Sequence, residues 1–597
     1  MLRIIGNAQQ PLLAVAERLF SRYKPALKPE IIPVAFEPIP PTNNLDQVIA
    51  SLHDNAEAWA DLKPANRAAL LRECITTTMD VAEEAATAAT AYKGSFGGGI
   101  GEELVSFVPI VSALREYAES LEAGGAGQPH RVYQRPENGQ WVADVFPVGL
   151  ESLLFAGIVG EVWIEPGKEP TQGKCYREPT TCPPGVCVVL GAGNQTPVPA
   201  LDILHVLVTL NKVVCCKMNP VNEIMGPYLR RAFKPLVENG FLEFVYGSGK
   251  EGALVCNHPQ VSDIHLTGSE ATYNAIVWQG KTPKKGVQPP FTKSVDAELG
   301  CVTPYIIVPG KWSRTDLEYH AETVITGLTQ NAGHNCIKAE ILVTDKAWPQ
   351  RELFLEILRQ RLAATATRVG YYPGTGKKAA AFKKTFPDAE EIGGKTKLDT
   401  NGDLVAVDGG DERRLPWLLK LGLTPEQAIG EFENWCGVLQ EVAIPNKDNN
   451  TATFLDAAVK FANEKCWGTL SCVIIAHPAT QKSHKKEFEA AIEGLKYGTI
   501  CINVPGSLGF GITKLAWGGW PGSTADNIGS GSCKVHNTLL YDHVEKSVLR
   551  GAWRLHPYPF WLTSNRNTEA IAKESMKFMA RPSLAGINPV ALQALRG

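Results

Sequence analysis

The hydrophobic pattern changes period along the chain. From Asn44 to about Ala123 apolar residues return on one helical face, first Leu45, Val48, Ile49, Leu52 and Ala56, later Val108, Val111, Leu114, Ala118 and Leu121. Ser95-Phe96-Gly97-Gly98-Gly99 divides this stretch into two helical parts. Ahead of it, residues 25–45 hold six prolines and read as an extended lead-in. Residues 124–182 are rich in turn formers, with strands expected at Gln140–Phe146 and Glu161–Ile164.

From residue 185 short apolar runs alternate with helical segments. Strands are expected at Val186–Leu190, Lys212–Lys217, Leu242–Tyr246 and Asp263–Leu266, with helices at Pro199–Leu210, Ile224–Glu238 and Gly249–Cys256. A second alternating block runs from about 303 to 480. Its strands are Pro304–Val308, Ala339–Val343, Val438–Ile444 and Cys472–Ala476, followed by Thr499–Val504; its helices are Asp316–Leu328 and Gln350–Ala364. Residues 371–415 read as a charged, loop-rich surface segment. Alternation of this kind means βαβ units and mostly parallel sheets. The fold class is therefore α/β, with two doubly wound domains and a small oligomerisation element. The expected division is a tail at 1–43, a helical part with oligomerisation segments at 44–182, a cofactor domain at 183–297, a catalytic domain at 298–500, a return segment at 501–540 and an extension at 541–597. That extension holds an aromatic cluster, Trp553 to Trp561, read as a dimer or core contact.

Composition narrows the functional classes. With 59 lysines and arginines against 62 aspartates and glutamates, the chain has no basic excess to attract a nucleic acid. No stretch gives the roughly 20 consecutive apolar residues of a membrane span. The 14 cysteines form no Cys-x-x-Cys pair, so no metal site is expected, and several stand in apolar runs. This pattern points to reduced thiols in a cytoplasmic setting. Residues 1–24 are basic and partly amphipathic, which allows an organelle presequence, although Glu17 argues for an ordinary surface helix.

The residues that can carry chemistry lie at strand–helix junctions. Gly191-Ala192-Gly193-Asn194 follows one strand and Leu266-Thr267-Gly268-Ser269 another. Two such turns on one sheet favour a dinucleotide, although each alone also suits tight packing. Cys336 closes the polar segment Gln330-Asn331-Ala332-Gly333-His334-Asn335, where backbone N–H dipoles can favour a thiolate. His334 is weighed as its base and set aside, because residues two apart rarely meet in the required geometry. Glu298, in Ala297-Glu298-Leu299-Gly300, is a lone acid in an apolar turn, which by that context alone is more often a salt-bridged or capping residue than a base.

The order of these segments resembles the aldehyde dehydrogenase superfamily. Thr267-Gly268-Ser269 is similar to its cofactor turn, Glu298-Leu299-Gly300 to its Glu-Leu-Gly-Gly motif, and Gln330 to Cys336 to the segment that ends in its nucleophile. Glu433-Asn434-Trp435-Cys436-Gly437-Val438 is loosely similar to its Glu-x-Phe-Gly-Pro-Val motif. Gly518-Gly519 and Gly529-Ser530-Gly531 fit its C-terminal glycine motifs. The resemblance covers about residues 45–540 and implies oxidation of a small-molecule aldehyde to an acid with NAD or NADP. It implies Cys336 as nucleophile, Asn194 as oxyanion donor, Glu298 as the base for hydrolysis, and Lys217, Gly268, Ser269 and Glu433 as cofactor contacts. It also implies a homodimer or homotetramer. Three residues after Lys217 the usual glutamate is Pro220, which makes NADP plausible, and nine residues after Asn194 the usual lysine is Ile203. Two other readings stay open: a CoA-acylating dehydrogenase or reductase, and a non-catalytic binding protein on the same fold. Glu298 argues against the first, and the pairing of Cys336 with Asn194 against the second.

Overall fold

The computed structural model describes residues 10–20, 25, 28–95, 99–407 and 411–597. The expected glycine break at 96–98 and most of the basic N-terminal stretch lie outside the described residues. Residues 28–44 run extended, and Ile31 bridges Ser95 while the Thr42 N–H donates to the Tyr246 carbonyl. Helices α1 (Leu45–Asp61), α2 (Pro64–Lys93), α3 (Gly101–Val105) and α4 (Phe107–Glu122) follow. Proline opens α2, where its missing N–H costs nothing, and Gly94 at φ +79° ends it.

Strands β1 (Arg131–Gln134), β2 (Trp141–Phe146) and β3 (Ile158–Ile164) form an antiparallel unit. The smaller sheet is built from β4 (Val186–Leu190), β5 (Val213–Lys217), β6 (Leu242–Val245), β7 (Val261–Gly268) and β8 (Ser294–Leu299), in the order β6-β5-β4-β7-β8. Every pair in it is parallel. Its central strands are near-continuous Val and Cys runs because helices cover both faces. The path leaves β4 toward β5 and β6, then returns to the other side for β7 and β8. A crevice therefore opens at the carboxyl ends of β4 and β7, where this topology binds ligands. The helix from β4 to β5 is α5 (Pro197–Thr209), and α6 (Glu270–Val277) follows β7.

The larger sheet takes the chain after Gly300–Val302. It contains β9 (Thr303–Ile307), β10 (Ala339–Asp345), β11 (Glu390–Ile392), β12 (Trp417–Leu423), β13 (Val438–Ile444), β14 (Ser471–Ile475), β15 (Thr499–Ile502) and β16 (Val544–Gly551). With the antiparallel unit its order is β1-β2-β3-β16-β15-β14-β9-β10-β13-β12-β11. The protein is thus α/β with two parallel-sheet cores. Helix α7 (Arg314–Thr329) runs from β9 toward the polar segment before β10.

The structure differs from the sequence reading at four places. The helix expected at Ile224–Glu238 breaks at Phe233, because Pro235 cannot continue the preceding hydrogen-bond ladder. Residues 371–415 contain a helix, Thr375–Thr385, whose buried Thr375, Ala379 and Phe382 keep helical spacing among lysines. Cys175 and Cys182 are joined as a disulfide rather than standing as free thiols. The stretch after residue 541 contributes β16 to the large sheet and two helices, α8 (Thr568–Ala580) and α9 (Leu584–Ala594). In its aromatic cluster, Trp553 packs against Trp312, His320 and His477 of the same chain. Among the described residues no helix is long and apolar enough to cross a membrane.

A buried charge network ties these parts together. Lys514 Nζ pairs with Glu116 of α4 at 3.0 Å and with Glu151 at 2.7 Å, and Arg115 also reaches Glu151 at 2.9 Å. The Thr513 and Thr538 hydroxyls donate to Glu116. Lys514→Ala leaves two buried carboxylates short of a partner and should cost about 3–5 kcal/mol. Arg72→Ala, which opens the exposed pair with Glu122, should cost under about 1 kcal/mol. Chemical denaturation of the two variants checks the contrast, and equal losses would refute it.

Candidate active site

Three elements of the sequence converge on one crevice. The turn after β4 delivers Asn194, the end of β8 delivers Glu298, and the segment between α7 and β10 delivers Cys336. That last segment is strained: Asn331, Ala332 and Gly333 all have positive φ, at 51°, 56° and 78°. Asparagine tolerates this conformation, but alanine does so only at a cost of about 1–3 kcal/mol, so the surroundings must enforce it. They do so by hydrogen bonding. Asn331 Nδ2 donates to the carbonyls of Asn194 and His334, at 2.9 and 3.0 Å. Its backbone N–H donates to Glu102, which Arg368 holds at 2.7 Å. Asn194 Nδ2 donates to the His334 carbonyl at 2.9 Å, and Gln195 donates to Asn335 at 2.7 Å.

A cavity of about 470 Å³ is lined by Cys336, Glu298, Asn194, Gly268, Ser269 and Glu433 among others. Six of the seven residues singled out from the sequence therefore meet in one place. Lys217 does not line it. It stands at the carboxyl end of β5, buried, with no side-chain hydrogen bond among the described residues. Burial pushes its ammonium below the usual lysine range, against the pull of Glu223 and Glu251.

Close backbone approaches make the crevice. A Cβ on Gly300 would fall 2.0 Å from Glu433 Oε2, so only glycine leaves room for that carboxyl group. Gly531, at φ +110°, lets its strand run against Ala297 and Glu298, where a Cβ would meet the Ala297 carbonyl at 2.0 Å. The loop that carries Glu433 is pinned from β10. Lys338 Nζ donates to the carbonyls of Asn434 and Cys436, and Glu340 accepts from the Asn434 backbone and side chain. Lys338 is two residues past Cys336, so the same short segment fixes thiol and loop together.

The electrostatics follow from this crowding. Glu298 is 4% exposed and accepts one bond, from Trp517 Nε1 at 3.1 Å. Burial, with Asp202 and Glu433 adding negative charge, raises its pKa to about 8. Burial, and next the charge of Glu340, raises Glu433 to about 8 as well, although the Cys301 N–H works the other way. Burial and the field of Glu298 and Glu433 push the Cys336 thiol well up, although its own backbone N–H opposes them. His334 spends Nδ1 on the Asn331 carbonyl and Nε2 on Thr375, and burial brings it down to about 3. It is structural in this arrangement.

Several site residues escaped the sequence reading. Trp517, which holds Glu298, comes from a segment more than 200 residues away. Tyr372, Trp435 and Phe510 line the cavity, as does Lys378, whose Nζ donates to the Glu433 carbonyl. None has a local motif; only the packing of distant loops shows them.

Residues 166–376 match the model of the aldehyde dehydrogenase family. A 4-trimethylaminobutyraldehyde dehydrogenase from Oryzias latipes is 29% identical over 217 residues, which cover 36% of this chain and 39% of that protein's length. The chain thus matches well under half of that relative. Among solved structures, an aldehyde dehydrogenase from Brucella melitensis biovar abortus 2308 superposes with a TM-score of 0.57 at 16% identity, covering 85% of this chain and 89% of its own. An NADP dependent enzyme from E. coli does so with 0.58 at 16% identity, covering 86% and 91%.

The charge field around the thiol has a measurable consequence. At about pH 9, where both carboxyl groups are ionised, Glu433→Gln should let iodoacetamide alkylate Cys336 several-fold faster than in the wild type. Near pH 6 both carboxyl groups are protonated and the two rates should agree. Peptide-resolved mass spectrometry reads the rates, and no difference at the higher pH would refute the assignment.

Proposed function

We propose that the chain, like the family whose model it matches over residues 166–376, oxidises an aldehyde to a carboxylic acid with NAD or NADP through a thioester on Cys336. The observation that carries the reading is the single cavity that joins a thiol, a carboxyl base and the Gly268-Ser269 turn.

The residues present suit a nicotinamide dinucleotide. Lys217 is a buried ammonium with no hydrogen-bond partner among the described residues, and it would contact the adenosine ribose. Gly268 and Ser269 would border the pyrophosphate where α6 begins, and the Ser269 side chain caps that helix. Glu433 would hold the hydroxyls of the second ribose. Pro220 removes the carboxylate that would exclude a 2′-phosphate, so either dinucleotide fits on this argument. When bound, the oxidised nicotinamide supplies the acceptor for the hydride that the aldehyde carbon must lose.

The chain's own groups do the rest. The Cys336 sulfur adds to the carbonyl carbon, its proton passing to solvent water, and the carbonyl π pair moves onto the oxygen as an oxyanion. One amide N–H of Asn194 is spent on His334; the other, with the Cys336 backbone N–H, serves that oxyanion. After hydride loss, Glu298 takes a proton from water, and the resulting hydroxide attacks the thioester carbon. The carboxylic acid departs and the thiolate regains a proton.

Glu298 must be ionised to act, so hydrolysis should rise with pH through about 8 and fall away below it. Purified protein with an aldehyde series, each dinucleotide, and CoA present or absent tests the reading. Cys336→Ala should form no reduced nicotinamide. Glu298→Gln should lose about 10²–10⁴-fold in turnover, the usual worth of a general base. Activity only with CoA would replace hydrolysis by acyl transfer, and full activity in Cys336→Ala would overturn the proposal.

A further inference from the structure

Behind Glu298 lies a buried polar cluster that the reaction above does not use. Strands β7 and β8 pair in parallel with His265 opposite Asp296 and Thr267 opposite Glu298. Residues two apart on a strand share a face, so these four side chains form a square on one side of the sheet. Helix α5 crosses that side and presents Asp202, which is 2% exposed. Asp202 Oδ2 accepts from the Thr267 hydroxyl at 2.8 Å, and its Oδ1 lies 3.3 Å from His265 Nε2, itself fully buried. A hydroxyl donor and an imidazole thus converge on one carboxylate, and that carboxylate sits one residue pair away from the base.

We infer that Asp202, fixed by the Thr267 hydroxyl and the His265 ring, is a positioning residue that sets the charge state of Glu298. The inference deepens the reading of Glu298 as the hydrolytic base and rests on it for its catalytic meaning. Two neighbouring carboxylates do not both ionise readily in a water-poor site, and the one with fixed donors keeps the charge. Asp202 has the Thr267 hydroxyl as donor and the His265 ring as charge partner; Glu298 has one indole N–H. The proton therefore resides on Glu298. Burial lowers an imidazole, but here Asp202 overrides it and raises His265.

The other groups that face this pair are few and known. Glu298 also faces Cys336, Glu433 and Cys533. Asp202 faces Cys216 of β5. His265 faces Asp296 of β8 and the ring of His205 from α5, at 5.6 Å. Asp263 acts on Asp296, and His536 acts on His205. None of these makes an ion pair with Glu298 among the described residues.

Infrared titration of the protonated carboxyl band tests the inference without requiring turnover. Subtracting the Glu298→Gln spectrum assigns the band to Glu298. The wild-type midpoint should lie near 8, and Asp202→Asn should lower it by about one unit, as the loss of one nearby charge does. Asp202→Glu, which keeps the charge, should leave it close to wild type. Thr267→Val should shift it the same way by less, and serves if Asp202→Asn does not fold. The pH dependence of aldehyde oxidation should move with the band. An Asp202→Asn midpoint equal to wild type overturns the inference even if the enzyme oxidises aldehydes. A shifted midpoint in a protein that oxidises none leaves the Asp202–Glu298 coupling standing and removes the proposed reaction instead.

Discussion

Negative charge crowded against a thiol in a space with little water is the constraint on which this site depends. Glu298 and Glu433 line the same crevice as Cys336, and Asp202 lies buried behind Glu298. Full ionisation of all of them would be costly, so protons must be distributed among them. The geometry distributes them unequally. A hydroxyl and an imidazole face Asp202, while burial and neighbouring charge raise Glu298 and Glu433 to about 8. The thiol is then also held as S–H.

The scaffold serves this arrangement at every level. Parallel strands bring the turn after β4, the end of β7 and the end of β8 to one edge. The short passage Gly300–Val302 then carries the chain into the larger sheet, so thiol and base meet between the two sheets. Glycines at 300 and 531 are needed where backbone and carboxyl group come within a side chain's width. Lys514, two residues from the strand that ends in Trp517, anchors that segment to α4 and thereby fixes the one donor to Glu298. The C-terminal helices add support from outside. The Met579 carbonyl accepts from Arg115, and the Trp561 carbonyl accepts from Gln330, the first residue of the strained segment.

Much of this was legible in the sequence because its signals are local. Continuous runs such as Val186–Leu190 and Val438–Ile444 can only be covered strands, and both form within a residue of expectation. Cys336, Glu298, Asn194, Gly268, Ser269 and Glu433 were found from short motifs at strand ends and do meet, whereas Lys217 stands apart at the end of β5. What was not legible depends on pairing across long distances. Asp202 looks like one polar residue in an apolar helix until Thr267 and His265 are seen to face it. Trp517 has no motif, and the Thr375–Thr385 helix hides its apolar face among lysines. The Cys175–Cys182 link depends on a turn whose closure the spacing alone does not announce.

The most direct test of the account is to catch the covalent intermediate. Glu298→Gln is mixed with an aldehyde and oxidised dinucleotide, quenched in acid and digested, and the Cys336 peptide is weighed. The account predicts that this peptide gains the mass of the acyl group, that the adduct forms with one equivalent of reduced nicotinamide, and that it decays far more slowly than in the wild type. Reduced nicotinamide formed with no acyl group on Cys336, or an adduct on another cysteine, would contradict it.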